Sequence, residues 1–516
     1  MLTGSREGKP MIRRLLPLIS LVVLAGCAGG IKPMEHGPAI PVASEPDAFL
    51  QSQSQERVGA GLPAVKLLNT GEDAFLARAA LIETASQRID AQYYIWNDDD
   101  SGRYLASRLV AAADRGVVIR LLLDDINVAG KESLFALLDA HANIRVRIFN
   151  PSRSRDGFGR WLSFITDFDR INRRMHNKTF VVDGLVGIAG GRNIGDEYFD
   201  QHPTLNFRDR DVLVLGPLAG DMTANFEAYW DSPWTLPLAE LYSKPQQPQS
   251  KLSALIESAA SRHYQIEPPG DRETARGYLE TLFANTVSAP AELMFDPPPE
   301  DPDAPAEAPQ RTAQALYDLV EDARSEILIE SAYLILTDNQ LKAVDGIGNG
   351  RLEVAALTNS LATNDLVTNH SGYARWRRAM LQQGIELHEL RPDAPACQRW
   401  VAASAACDGG EVSLHSKAVV FDRETLFIGS FNVNLRSIYL NGETVLVIKS
   451  QELAGAVADD IRYAMEPRNS WRVELNGQDE LVWRSEGQEV QHEPEVGFWR
   501  RAMSRMLSWL PIEKYL

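Results

Sequence analysis

Two short runs of this 516-residue chain carry the same residue types at the same spacing. His176-Asn177-Lys178 is followed by Asp183, Gly190 and Asn193, and His415-Ser416-Lys417 by Asp422, Gly429 and Asn432. The interval between the runs is constant, since 415 − 176 and 432 − 193 both equal 239. Of nine histidines, only these two have Lys at the second following position and Asp at the seventh. At background frequencies about 0.03 accidental copies of one such triplet are expected, and a second copy with matching Gly and Asn far fewer. An imidazole can act as nucleophile or proton carrier near neutral pH, an ammonium offsets phosphate charge, and a carboxamide donates to the same oxygens. His and Lys two apart on a strand point to one face. Two such runs brought together would surround a phosphodiester with two His, two Lys and two Asn. Gly190 and Gly429 read as points where backbone turns tightly and approaches a ligand.

The elements that must hold these runs repeat as well. The first half reads as a helix over 74–86, a strand over 89–96, a helix over 102–115 ended by Gly116, and an apolar strand over 117–123. The second half reads as a helix over 313–324, a strand over 327–335, a helix near Gln340 and a strand over 352–357. A helix over 372–382, Gly384 and a strand over 385–390 complete it. Val181-Val182 and Val419-Val420-Phe421 are β-formers that carry each motif into a core. Strands alternating with helices give an α/β fold with helices on the sheet faces. The predicted organisation is a first domain at 65–243, a connecting segment at 244–310, a second domain at 311–490 and an amphipathic C-terminal segment at 491–516. Within the connector, the Pro- and acid-rich stretch 296–309 reads as a solvated loop.

Residues 1–26 read as a targeting segment. Arg13 and Arg14 precede an apolar run over 15–24 that is too short to span a bilayer, and Leu24-Ala25-Gly26-Cys27 resembles the bacterial lipobox, in which the cysteine is lipidated. Residues 27–64 read as a flexible tether. The whole chain has a net charge of −18; removing Arg6, Glu7, Lys9, Arg13 and Arg14 takes away +3 and leaves −21. That balance opposes general attraction to nucleic acid. In an exported, oxidising setting Cys397 and Cys407, across a small-residue loop, are expected to pair. Ala28 after the cysteine points, by resemblance to enterobacterial sorting, to the outer membrane, periplasmic side.

The double His-x-Lys-x4-Asp-x6-Gly-x-x-Asn pattern resembles the phospholipase D superfamily. Further runs are similar to the C-type bacterial cardiolipin synthases: Tyr93-Tyr94-Ile95-Trp96, Leu121-Leu122-Leu123-Asp124-Asp125, Ile171 to Lys178, Gly190 to Asp196, Thr358-Asn359-Ser360-Leu361-Ala362 and His370 to Arg377. The resemblance covers roughly residues 65 to 516. It implies two tandem phospholipase D-like domains, each a mixed sheet flanked by helices, with the active site at their pseudo-two-fold interface. It implies phosphatidyl transfer through a phosphohistidine, most simply cardiolipin synthesis from phosphatidylglycerol and a second phospholipid, with no cofactor and no metal. One of His176 and His415 is the implied nucleophile and the other the proton carrier, with the resemblance leaning to His176 for the nucleophile. Lys178, Lys417, Asn193 and Asn432 hold the phosphate. Asp209 and Glu443 orient the imidazoles, with Asp211 a weaker candidate, while Asp183 and Asp422 are read as structural. Hydrolysis of phospholipids uses the same groups, and a nuclease of the superfamily is the alternative from a different class. The expected partners are a phospholipid and a membrane surface, not nucleic acid, and the chain is expected to act as a monomer.

Two further segments combine apolar and cationic residues. Phe498, Trp499, Ala502, Met503, Met506 and Leu510 share one helical face, with Arg500, Arg501 and Arg505 elsewhere, which suits either a membrane interface or packing on the domain. The loop with Arg153, Arg155, Phe158, Arg160 and Trp161 suits a headgroup clamp or a lid. Arg173, Arg174 and His370 are candidates for lining a substrate entrance.

Overall fold

The structure, a computed structural model, describes residues 48–516 apart from 59–60, 153–167, 244, 263, 265, 302–303, 344–351, 402–406, 408–410 and 511–512. Cys27 and the 153–161 cluster lie outside the described residues.

The first half builds a sheet from β1 (Ala64–Leu68), β2 (Arg88–Tyr93), β3 (Val118–Asp124), β4 (Ile144–Phe149), β5 (Thr179–Val182) and β6 (Val186–Gly190). After β7 (Leu205–Arg208), which stands apart, β8 (Asp211–Leu215), β9 (Thr235–Pro237) and β10 (Val287–Ser288) join it, in the order β10-β1-β8-β6-β5-β2-β3-β4-β9. The second half uses β11 (Ala291–Phe295), β12 (Glu326–Ser331), β13 (Glu353–Asn359), β14 (Glu386–Leu390), β16 (Lys417–Phe421), β17 (Thr425–Gly429) and β18 (Thr444–Lys449). Its order β11-β18-β17-β16-β12-β13-β14 repeats the central arrangement, and three antiparallel strands, Ser470–Leu475, Leu481–Ser485 and Gln488–Val490, extend it. The parallel pairs are β2-β3-β4 in the first sheet and β12-β13-β14 in the second, and the strand between two parallel neighbours, β3 or β13, is buried at all but one position. One apolar cluster takes residues from both sheets, among them Val181, Val214, Leu328, Leu357 and Leu446, so the halves share a core.

The connector is more than a link. Its helices Pro248–Ala260 and Arg272–Ala284 pack on helices Asp100–Asp114 and Gly71–Thr84, while β10 closes the first sheet and β11 opens the second. Asp296, read from sequence as part of a solvated loop, is fully buried. Its carboxylate accepts from the Thr312 backbone and hydroxyl and from the Glu443 N–H, and burial pushes its pKa up to about 7. In the stretch expected to be tether, residues Ala48–Arg57 form a helix whose Leu50 is buried, because Phe49 stacks on Phe283 and anchors it. Among the described residues no helix is long and apolar enough to cross a membrane.

Both leading strands end earlier than expected. β2 stops at Tyr93 because the Ile95 N–H donates to Asn193 Oδ1 and Ile95 accepts from Ile194; β12 stops at Ser331, and Ile335 N–H donates to Val433. In each half the chain leaves the ladder to bond the segment around the motif asparagine.

Candidate active site

The motif residues occupy the extended approach to β5 and β16, with Lys417 the first residue of β16. Their backbone groups pair across the halves. His176 N–H donates to Gly442 and Gly442 N–H to Arg174; His415 and Ser416 N–H both donate to Arg208. A small parallel sheet of β7 with β15 (Glu411–Leu414) carries His415 and Asp209 to the same place from opposite halves. Each histidine is thus fixed beside the carboxylate that follows its cross-half partner. His176 Nδ1 lies 2.8 Å from Glu443 Oε2, and His415 Nδ1 lies 2.6 Å from Asp209 Oδ2. The exchange is reciprocal, and neither half contains a complete site.

The electrostatics follow from burial. Desolvation lowers both imidazoles to about 4, although Glu443 and Asp209 oppose it; the two lysines push in the same direction as burial. Because each histidine feels both Lys178 and Lys417, the four groups form one site. Desolvation also lowers Lys178 to about 7 and Lys417 to about 8. Burial alone would raise the Asp209 and Glu443 carboxyls, but the facing histidines and lysines hold both below the ordinary range. With both carboxylates charged, each ring keeps its proton on Nδ1. Nε2 then carries the lone pair, and it has no hydrogen-bond partner among the described residues.

The lysines rest on their own histidine's carbonyl: Lys178 Nζ donates to His176 O at 2.6 Å, and Lys417 Nζ donates to His415 O. Asn193 lies beside the Tyr198 hydroxyl, and its Nδ2 keeps no well-formed hydrogen bond. Asn432 Oδ1 is likewise buried without a partner. Two lysines with no carboxylate bound to them, and an Asn193 amide nitrogen with no partner, are donors prepared for an anion.

The glycines serve the sheets, not a ligand. A Cβ on Gly190 would sit 2.5 Å from Arg210 O, and one on Gly429 would sit 2.2 Å from Thr444 O, so glycine lets neighbouring strands close up. Asp183 and Asp422 lie at positive φ in equivalent turns, accepting N–H groups of residues 86–88 and 324–326 respectively. Neither touches a histidine. Asp211 forms a buried pair with Arg78 at 2.9 Å. The arginines flanking Asp209 leave it to His415, because Arg208 and Arg210 both bind Glu330 and Asp460 of the second half, and Ser416 Oγ donates to Glu330 as well. Trp400 covers Arg208, with its ring centre 3.9 Å from the guanidinium carbon; Cys397, at the start of the same helical turn, is disulfide-bonded to Cys407.

Two candidates for the entrance are core residues instead. His370 is fully buried against Arg377 and Glu493, and Arg174 pairs with buried Asp124, which also accepts the Met175 N–H. Arg173 donates to the Ala304 carbonyl. Sequence reasoning missed the aromatic walls. Tyr94 packs edge-on to His176 at 4.9 Å, Tyr198 and Phe207 pack on His415, and the Tyr333 hydroxyl donates to Asp365. The signal was present, since 333 − 94 is again 239.

Comparison with known proteins agrees with this architecture. The family model described as "Cardiolipin synthase, PLD-like domain" matches residues 79–230 and 316–464. Cardiolipin synthase C of Escherichia coli K12 is 38% identical over 456 residues, 86% of this chain and 93% of the relative. An uncharacterized protein of Helicobacter pylori J99 is 30% identical over 87% of this chain and 88% of its own length. Among solved structures, phosphatidylserine synthase of Haemophilus influenzae Rd KW20 superposes with a TM-score of 0.58 at 13% identity, covering 90% of this chain and 100% of that one, a likeness of fold. With both motif copies inside the matched segments, the chain belongs to the cardiolipin synthase family of phospholipase D-like enzymes.

Proposed function

We propose that the enzyme transfers a phosphatidyl group between alcohols through a phosphohistidine, and that the alcohol it prefers is the headgroup glycerol of phosphatidylglycerol, giving cardiolipin. The observation that carries this reading is the reciprocal pairing of two neutral histidines, each with Nε2 free and Nδ1 held by a carboxylate of the opposite half.

A phosphodiester entering the site brings one negative charge between two lysines and two imidazoles. That charge restores the ammonium form of the lysines and raises the basicity of the imidazoles. His176 Nε2 attacks phosphorus; Lys178, Lys417 and the amides of Asn193 and Asn432 take the non-bridging oxygens as charge builds there. His415, made more basic by the bound anion, takes a proton from water on Nε2, hands it to the departing alcohol, and then removes one from the incoming alcohol, which displaces His176. Asp209 and Glu443 stabilise whichever ring is cationic. Water as acceptor gives phosphatidic acid by the same route.

The test is product identification by mass spectrometry after incubation with vesicles of phosphatidylglycerol, alone and mixed with a second phospholipid. Cardiolipin supports the proposal. Phosphatidic acid alone replaces it with hydrolysis. Unchanged lipids together with cleaved DNA in a parallel incubation refute it.

A further inference from the structure

Eight large apolar side chains are exposed among the described residues, and six of them belong to one short segment: Phe498, Trp499, Met503, Met506, Trp509 and Leu510, at 45 to 82% exposure. The helix Phe498–Leu507 lies on helix Val367–Gln382 by its polar side. Ser504 is buried there, Arg500 donates to Asn364 O, Arg501 to Glu493 O, and Arg375 reaches Leu510 O. A helix packed for core burial presents the opposite face. Residues 498–510 also include three arginines and no acid, in a chain of net charge −18.

The position of this face is as informative as its composition. Asn364, which anchors Arg500, precedes Asp365, the acceptor of the Tyr333 hydroxyl and a charge that acts on Lys417. Leu366, the seventh exposed apolar residue, comes next in the chain. The eighth, Ile126, precedes Asn127, whose side chain lies beside the Tyr94 hydroxyl, and that ring lies against His176. Beyond the helix the chain returns to the same rim: Arg436 donates to Tyr515 O and to Asn172 Oδ1, four residues before His176. The helix is thus tied through Asn364 and, beyond its end, through Tyr515 to segments that lead into the catalytic cleft, and the other two exposed apolar residues stand next in the chain to residues of those segments.

We infer that the 498–510 helix is the surface by which the protein sits on an anionic phospholipid bilayer, its apolar face in the interface and the two-histidine cleft turned toward the headgroups. The inference rests on the proposed function only in taking lipid as the occupant of the cleft. Apolar burial and arginine attraction to anionic lipid both favour this seat.

Hydroxyl-radical footprinting of the full chain, alone and with vesicles of phosphatidylglycerol or phosphatidylcholine, reads the face directly and independently of any anchor near the N-terminus. Oxidation of Trp499, Met503, Met506 and Trp509 should slow at least about fivefold with phosphatidylglycerol vesicles and less with phosphatidylcholine. Rates unchanged by vesicles overturn the proposal. So does protection that grows with protein concentration in their absence, which would make the face a contact between two copies of the chain. A Trp499→Ser/Met506→Ser/Trp509→Ser protein should turn over vesicle lipid about tenfold more slowly while keeping its rate on short-chain phospholipid dispersed as monomers. Equal loss on both substrates with a lowered melting temperature would make the helix part of the core and overturn the inference. If the unmodified protein acts on neither substrate, the proposed function fails, while the footprint still decides the surface.

Discussion

Replacing Gly191 by alanine should cost the enzyme most of its activity through a single carbon atom. A Cβ at this position would lie 2.2 Å from Asp209 Oδ1 and 2.9 Å from its Cγ and Oδ2. Non-bonded carbon and oxygen need more than 3 Å, so the carboxylate must withdraw by about 1 Å. It is held on two sides, by the Arg210 N–H at 2.7 Å and by His415 Nδ1 at 2.6 Å, so withdrawal breaks the contact that orients His415. A misplacement of about 1 Å costs about 10²-fold, and loss of an orienting carboxylate up to about 10⁴-fold, which is about 3–5 kcal/mol on the barrier. Alanine should do as much harm as serine, since Cβ is the offending atom. The equivalent residue in the other half supplies the control. Ser430 Oγ donates to Glu443 Oε2 at 2.5 Å, but Ser437 and Asn441 hold the other oxygen. Ser430→Gly should therefore lose no more than about tenfold in turnover, with about 1–2 kcal/mol of stability. The assay is steady-state turnover on phospholipid beside urea unfolding of the same preparations. Turnover of Gly191→Ala within about threefold of the unmodified enzyme would refute the reasoning.

Three further outcomes are expected. Burial lowers Lys178 to about 7 and Lys417 to about 8, and both must be ammonium to receive phosphate, so kcat/KM should fall as pH rises through 7 to 8; Lys178→Arg should shift that limb upward, and an unmoved limb would exclude Lys178 as its source. Burial alone would raise the Asp422 carboxyl, but the N–H groups of Glu326, Ser325 and Arg324 hold it below its ordinary value. A depressed carboxyl stabilises the fold above its unfolded pKa and ceases to as pH falls through its folded one, so the melting temperature of Asp422→Asn should vary less in acid than that of the unmodified protein, at equal turnover near neutrality; a large drop in turnover would contradict a structural role. Cys397→Ser/Cys407→Ser should cost about 2–3 kcal/mol for so short a loop, and non-reducing peptide maps of exported protein should join the two cysteines; two free thiols would contradict the pairing.

The motif spacing made the catalytic groups readable because it is repeated: His176, Lys178 and Asn193 have counterparts at a fixed interval, and so do the β-formers that carry them inward. What the interval could not convey was which half completes which site. The exchange of Glu443 and Asp209 depends on backbone pairing between Arg174 and Gly442 and between Arg208 and His415, contacts between residues more than 200 positions apart that leave no local pattern. Glycine was misread for a related reason. Gly190 and Gly429 sit beside catalytic residues in sequence, but what presses on them is the neighbouring strand, visible only with the sheet assembled. Asp296 looked solvated because its neighbours are proline and acid; its burial comes from the Thr312 cap and the Glu443 N–H, both distant in the chain. The amphipathic pattern of residues 498–510 was legible, whereas the direction its apolar face takes was not, because periodicity alone does not tell core from membrane.

The central claim, that one histidine carries the phosphatidyl group while its partner moves the proton, is open to direct trapping. A phosphatidyl ester of p-nitrophenol needs no general acid to lose its leaving group, so the first step should proceed without His415, while removal of the intermediate should not. Mixed with that ester and quenched in alkali, His415→Asn protein should yield a peptide containing His176 that carries the added phosphatidyl mass, and His176→Asn protein should yield no modified peptide. Rapid p-nitrophenol release by His415→Asn protein over many turnovers, with no adduct on any histidine, would contradict the two-histidine mechanism.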